Sequence, residues 1–135
     1  MSAIQGRKNV HGKAGVRFKA AYTASKRKNM LRNVVTELVI HEKVIVTSGV
    51  AQEVKTLADH LVTLAKRGDL HARRQAASIL RKMSTNEKES VSALDKLFDE
   101  LGPSFKARNG GYTRAIKADN RRGDNAKRVL VSWVR

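Results

Sequence analysis

From residue 25 onward the chain alternates between apolar stripes of helical period and short β-branched runs. Met30, Leu31, Val34, Val35, Leu38 and Val39 recur at helical spacing, and Ser25 stands where an N-cap belongs. At 100° per residue Lys26, Asn29, Arg32, Asn33 and Thr36 fall on the other side, so the first helix is predicted to bury one face and offer the other to phosphates. Residues 43–47 hold Val44, Ile45 and Val46 and read as a strand. Ser48 is placed to cap a second helix carrying Val50, Val54, Leu57, Ala58, Leu61, Val62 and Ala65, which Gly68 ends. Asp69 is then the expected N-cap of a third helix through Arg73, Arg74, Ala76, Ala77, Ile79 and Leu80.

After a polar break at residues 84–86, Val91, Leu94, Leu97, Phe98 and Leu101 form a fourth helical stripe, with Gly102 and Pro103 as its expected stop. The period then changes. Residues 112–118 and 128–134 read as strands joined by a charged, turn-rich stretch at 119–125, and they are expected to pair antiparallel. The prediction is an α+β fold of about four helices packed with a small three-stranded sheet. Residues 23–135 are expected to form a single globular domain, and residues 1–22, which have no apolar periodicity, read as an extended basic arm.

Charge narrows the function. The 135 residues carry 28 Lys plus Arg against 12 Asp plus Glu, a net charge of +16, and the first carboxylate is Glu37. Nine basic residues precede it. Such a stretch cannot neutralise itself, so it either meets an external polyanion or stays solvated and mobile, and binding phosphates releases their condensed counterions. A membrane surface competes poorly, because the basic stretch lacks an amphipathic Trp/Phe/Leu face to insert. A bilayer span would need roughly 20 apolar residues, and no run approaches that. The N-terminus has no continuous apolar signal segment, although its acid-poor, Arg-containing character overlaps with that of a mitochondrial transit peptide. With no Cys there are no disulfides or Cys-based zinc sites, which suits a reducing compartment.

A second basic cluster surrounds the C-terminal strands: Lys106, Arg108, Arg114, Lys117, Arg121, Arg122, Lys127 and Arg128, offset by Asp119 and Asp124. Within it the segment Arg108-Asn109-Gly110-Gly111-Tyr112-Thr113-Arg114 is the most informative. Its two glycines allow close backbone approach to a phosphate, and its arginines can fork onto phosphate oxygens. The plainer reading is a strand-entry turn with solvated charges, and both readings can hold together. Of six aromatic residues only Phe18, Tyr22 and Tyr112 lie near basic positions, too few for single-strand stacking. This favours backbone and shape recognition of a folded or duplex nucleic acid. Tyr112 is either a stacking platform or a core residue of its strand, whereas Phe98, Phe105 and Trp133 are expected in the core.

Signs of catalysis are weak. His11, His41, His60 and His71 lack ligand-type spacing and are expected at the surface or facing RNA. Glu87, Glu89, Asp95, Asp99 and Glu100 read as a solvated face of the fourth helix, and a metal-dependent nuclease pair among them is the minor alternative. No phosphate-binding loop is present, because the glycines lack the Lys-Ser/Thr partner. Arg-Gly-Asp occurs at 67–69 and 122–124, explained by a helix junction and a turn and not by adhesion. A DNA-compacting protein would share the basic, aromatic-poor composition and is the remaining non-enzymatic alternative.

These segments also resemble a known family. Leu64-Ala65-Lys66-Arg67-Gly68-Asp69-Leu70-His71-Ala72-Arg73-Arg74-Gln75-Ala76, Leu97-Phe98, Gly102-Pro103, Arg108-x-Gly110-Gly111-Tyr112-Thr113-Arg114, Arg122-Gly123-Asp124-x-Ala126 and Asn29-Met30-Leu31-Arg32-Asn33 look like bacterial ribosomal large-subunit protein L17. The likeness runs in order from about Lys26 to Val134. It implies a structural protein with no catalytic role or cofactor, bound to 23S rRNA on the solvent side of the large subunit near the polypeptide exit. Its implied partners are 23S rRNA and neighbouring large-subunit proteins, and its implied place is the cytoplasmic, bacterial-type ribosome. Carried over by position, the RNA-facing matches are Arg32 with its helix face, Arg73, Arg74 and the segment 108–114. Residues 1–24 are longer than the family's usual arm and differ from it, so their role is transferred by charge alone. The expected RNA-binding residues are therefore Arg7, Lys8, Lys13 and Arg17 in the arm, Lys26 and Arg32 on the first helix, and Arg73 and Arg74 on the third. Arg108, Asn109, Gly110, Gly111, Tyr112, Arg114, Lys117, Arg121 and Arg122 complete the set.

Overall fold

The computed structural model describes residues 23–83 and 92–134. The elements follow in the order α1 (Ala24–His41), β1 (Lys43–Thr47), α2 (Ser48–Arg67), α3 (Leu70–Ile79) and α4 (Ala93–Lys96). A π-helical turn (Leu97–Leu101) and a short α5 (Gly102–Ser104) continue α4, and β2 (Thr113–Lys117) and β3 (Arg128–Trp133) close the fold. The architecture is α+β, as the periodicity predicts. The strand order is β1-β3-β2 with both pairings antiparallel, so the last strand in sequence is the central one.

Local signals set most boundaries, with small shifts. Thr23 caps α1, its Oγ1 accepting from the Lys26 amide at 3.4 Å, so the expected cap Ser25 lies inside the first turn. Ser48 likewise is the first residue of α2 and not its cap; Thr47 holds the cap position without a side-chain bond. Gly68, at φ 70°, ends α2 in the left-handed conformation that glycine adopts without a Cβ clash. Asp69 has the extended backbone of an N-cap, but its carboxylate turns to Arg67 at 3.1 Å and leaves the α3 amides alone.

The expected stop at Gly102 and Pro103 is a continuation instead. Pro103 has no N–H to return to the preceding turn. That turn widens to a π geometry, with the Gly102 amide donating to Leu97, and the chain makes one more helical turn before Phe105. Gly102 serves close packing here: a Cβ would meet the Ala65 carbonyl oxygen at 3.2 Å and the Ala65 Cβ at 3.3 Å. Its absence lets this segment lie directly on α2.

The apolar stripes meet where the sheet's inner face is covered. Val35, Leu38 and Val39 of α1, Val54, Ala58, Leu61 and Val62 of α2, and Leu97 and Leu101 join Val131 and Trp133 in one core. Burying Trp133 requires a partner for its indole N–H, and the Leu38 carbonyl accepts it at 3.1 Å. Phe105 packs edge-on against Tyr112 at 5.4 Å and tilted against Trp133 at 5.9 Å. Phe98 packs at the margin of this core; half-buried, it lies beneath the Arg73 guanidinium at 5.3 Å.

Thr36, read as part of an exposed polar face, is fully buried. Its hydroxyl donates to the Arg32 carbonyl at 2.7 Å and accepts from the Arg81 amide at 3.0 Å, because the end of α3 docks on this side of α1. Periodicity marks which side of a helix is polar; it does not reveal that another segment's polar backbone will seat there.

Candidate nucleic-acid interface

The basic residues divide into those that the protein's own acceptors hold and those that no described acceptor holds. Arg32 belongs to the first group: its Nε donates to the Ile79 carbonyl at 2.8 Å and its Nη2 to the Ser78 carbonyl at 2.6 Å. These carbonyls end α3 and have no intrahelical partner, so a forked cation satisfies both and complements the negative helix end. Arg81 works in the reverse direction, donating to Asn33 at 3.1 Å and Asn29 at 3.0 Å on α1. On the face of α1 expected to meet phosphates, Arg32 is thus engaged by the end of α3 and Asn29, Asn33 and Thr36 by Arg81, while Lys26 stands exposed.

Arg73 is also engaged, ion-paired with Asp95 and stacked on Phe98. Asp95 in turn accepts from the Ser92 hydroxyl at 2.6 Å, the residue that caps α4. Arg74, the next residue, is exposed, and among the described residues its side chain has no polar partner.

The glycine segment is built differently from both. Lys66, in the last turn of α2, donates from Nζ to the Arg108 carbonyl at 2.7 Å and lies 3.2 Å from the Tyr112 hydroxyl. The ammonium also sits 5.4 Å from the Tyr112 ring centroid. Between these anchors Gly110 and Gly111 take φ 151° and 61°, and nothing stands within 4 Å of where a Cβ would be at either one. The loop is pinned at both ends and bare at its middle. Arg108 and Asn109 stand exposed at its entrance, whereas Tyr112 is buried, which resolves the choice between stacking platform and core residue in favour of the core.

β2 carries the cluster onward from this loop. It is an edge strand about 17 Å long, with Arg114 and Lys117 exposed on opposite faces. The turn after it is extensively cross-linked. Arg121 binds Asp124 through Nε at 3.1 Å and Nη2 at 2.6 Å, and Asp124 also accepts the Ala126 amide at 3.1 Å. The Arg121 hydrogen bond, joined by that amide, lowers the Asp124 pKa to about 2, and the same pairing raises that of Arg121. Arg128 closes the base by donating to the Asp119 carbonyl at 2.8 Å. With Arg121 used internally, Arg122 and Lys127 are the turn's exposed cations without a described acceptor.

Arg108, Arg114, Lys117 and Arg122, whose side chains have no polar partner among the described residues, follow one another along the β2 edge from the glycine loop to the braced turn, and Lys127 stands at the entry of β3, its carbonyl accepting the Ser48 amide. The end of α2 holds the loop, and α3 starts after two intervening residues, with Arg74 near its middle. Lys26 and Arg32 belong to the other end, where α3 finishes after about 15 Å of helix. Arg7, Lys8, Lys13 and Arg17 lie outside the described residues, as do His11, Glu87 and Glu89. Among the described residues no group of three or more His, Cys, Asp or Glu is placed to hold a metal ion, and no helix is long and apolar enough to cross a membrane. Lys66, which holds the glycine loop, is a residue to which the sequence reading assigned no role, although it lies within the segment 64–76 that carries the resemblance. Its place in the last turn of α2 does not reveal this role, because its partners lie 42 and 46 residues away.

The family model for ribosomal protein L17 matches residues 30–134. The chain belongs to this family. It is 47% identical over 123 residues to the large ribosomal subunit protein bL17 of Enterococcus faecalis, covering 87% of this chain and 97% of that protein. The bL17 protein of Mycoplasma capricolum is 50% identical over 105 residues, covering 78% of this chain and 87% of its own length. That of Streptococcus uberis is 44% identical over 124 residues, covering 86% and 97%. The matched span of the family model takes in α2, α3, the glycine loop, β2, the braced turn and β3, and all but the first residues of α1. Family membership and the strip of unpaired cations thus rest on the same part of the chain.

Proposed function

We propose that the protein is a non-catalytic constituent of the large ribosomal subunit that binds folded 23S rRNA in the bacterial cytoplasm, near the polypeptide exit side. The observation that carries the reading is the strip along β2, whose cations have no acceptor among the described residues and of which Arg114 and Lys117 are set in place by the pairing of β2 with β3. A charge without an internal partner can give its full interaction to a phosphate, with no ion pair to break first. The bare backbone at Gly110 and Gly111 leaves room for close approach of a sugar-phosphate chain between Arg108 and Arg114. Tyr112 acts beneath the loop as its support.

The arm cations Arg7, Lys8, Lys13 and Arg17 extend the same phosphate neutralisation, with Lys26 and Arg74 adding further contacts. Arg32, Arg73 and Arg121 contribute by holding the scaffold: one joins α1 to α3, one joins α3 to α4, and one braces the turn. Neighbouring large-subunit proteins complete its surroundings.

Sedimentation of a lysate through sucrose at high salt tests membership. The protein is expected to travel with the large subunit, and recovery only in light fractions refutes the assignment. Affinity for purified 23S rRNA measured against salt tests the phosphate strip. The logarithm of affinity should fall by about 0.7–0.9 per contact per log unit of salt, and replacing Arg114 or Arg122 by Ala should reduce that slope by about one contact. A flat response refutes phosphate neutralisation.

A further inference from the structure

The inner face of the sheet is accounted for by the core; the outer face is not. Strand register places Ile45 of β1, Leu130 of β3 and Ile116 of β2 side by side across all three strands. Ile45 is 55% exposed and Ile116 47%, with Leu130 half-buried between them. Ile45 and Ile116 are two of only four large hydrophobic residues exposed among the described residues, and the register puts them in one row roughly 10 Å long. Two residues away along the strands the same face presents Lys43, Ser132 and Arg114 on one side and Thr47 and Arg128 on the other. The outer-face positions of the three strands therefore hold an aliphatic row rimmed by Lys43, Arg114 and Arg128, with no carboxylate.

We infer that this outer sheet face docks a segment of a different protein that presents aliphatic side chains flanked by carboxylates. RNA fits the rim but not the row. Aliphatic side chains offer no platform for a base and gain little against phosphate or ribose, and the face carries no aromatic residue. An apolar row with a charged border is the arrangement of a protein contact, with a desolvated centre and polar edge. The sign of the border decides the partner's chemistry. A second copy of this chain brings its own +16, and the basic segment before residue 23 brings cations without a carboxylate, so neither complements Lys43, Arg114 and Arg128. Arg114 stands where this face meets the edge strip proposed for RNA. The two surfaces adjoin and take partners of different classes.

Photocrosslinking in the protein's own growing cells tests this without assuming which particle it enters. The full chain is made with benzoylphenylalanine in place of Ile116 and, separately, in place of Thr63, an exposed residue of α2 that serves as the control. The expected result is a product specific to position 116, joined to one other protein through a segment that holds aliphatic residues and carboxylates. Ile45→Asp, at an exposed position away from the core, should lower the yield of that product about tenfold, because it sets a carboxylate against the partner's own. Crosslinks from position 116 to RNA, to a second copy or to the chain itself overturn the inference. So do a partner segment without carboxylates, and the absence of any product at normal protein levels.

Discussion

Arg32 on α1 donates to the main-chain carbonyl of Ile79 at 2.8 Å, linking the first helix to the end of the third across 47 residues of sequence. With the adjacent bond to Ser78 the guanidinium acts as a side-chain cap for α3, and Arg81 returns the contact to Asn29 and Asn33. A residue that resembles an RNA contact by position is thereby committed to orienting the helix that bears Arg74.

Replacing Arg32 by Ala should therefore lower stability by about 1–2 kcal/mol, the range of a partly exposed charge-assisted hydrogen-bond pair. Arg32→Lys should recover only part of this, since an ammonium cannot fork onto two carbonyls. Urea denaturation measures both. If Arg32→Ala leaves the midpoint unchanged and lowers the salt slope of RNA binding, the residue is a phosphate ligand and not a cap.

Lys66 holds the glycine loop through the Arg108 carbonyl and the Tyr112 hydroxyl. Lys66→Met keeps most of the aliphatic packing and removes the donor. Amide exchange at Val134, whose N–H bonds the Tyr112 carbonyl at 3.0 Å, is expected to accelerate, with little change at Val131 in the sheet centre. Equal protection in both proteins would show that the loop needs no such anchor.

Gly102→Ala places a methyl group 3.2 Å from the Ala65 carbonyl oxygen, so α2 and the π-helical turn must separate slightly. The expected cost is about 1–3 kcal/mol, read as a lowered Tm. The usual gain from replacing a helical glycine by alanine should be absent.

Asp124 is held near a pKa of about 2 against an ordinary 3.8, mainly by Arg121 and then by the Ala126 amide. Because folding lowers this pKa, the turn's contribution is present above the ordinary value and is lost as pH falls through about 2. NMR titration of the side-chain carboxyl should show that midpoint. In Arg121→Ala it should move up towards 3.8, and an unchanged midpoint would rule out Arg121 as the main cause.

The sequence by itself determined the α+β class, the order of the elements and the basic character of the β2 region. Each depends on information local in the chain: apolar period, a glycine at a helix end, the density of Lys and Arg. Val54, Ala58, Leu61 and Val62 declare α2 at 3.6-residue spacing, and Gly68 ends it whatever else the chain does. Tertiary structure decided which cations stay available. Arg121 and Arg122 are neighbours of the same type, yet one is locked to Asp124 and the other has no described acceptor. Arg73 and Arg74 divide in the same way, because Asp95 and Phe98 approach only one of them. The central position of β3, the burial of Thr36 and the capping role of Arg32 likewise arise from contacts between segments tens of residues apart. Period and composition describe each segment's own preferences, whereas pairing an exposed charge depends on which distant acceptor the packed core brings within about 3 Å.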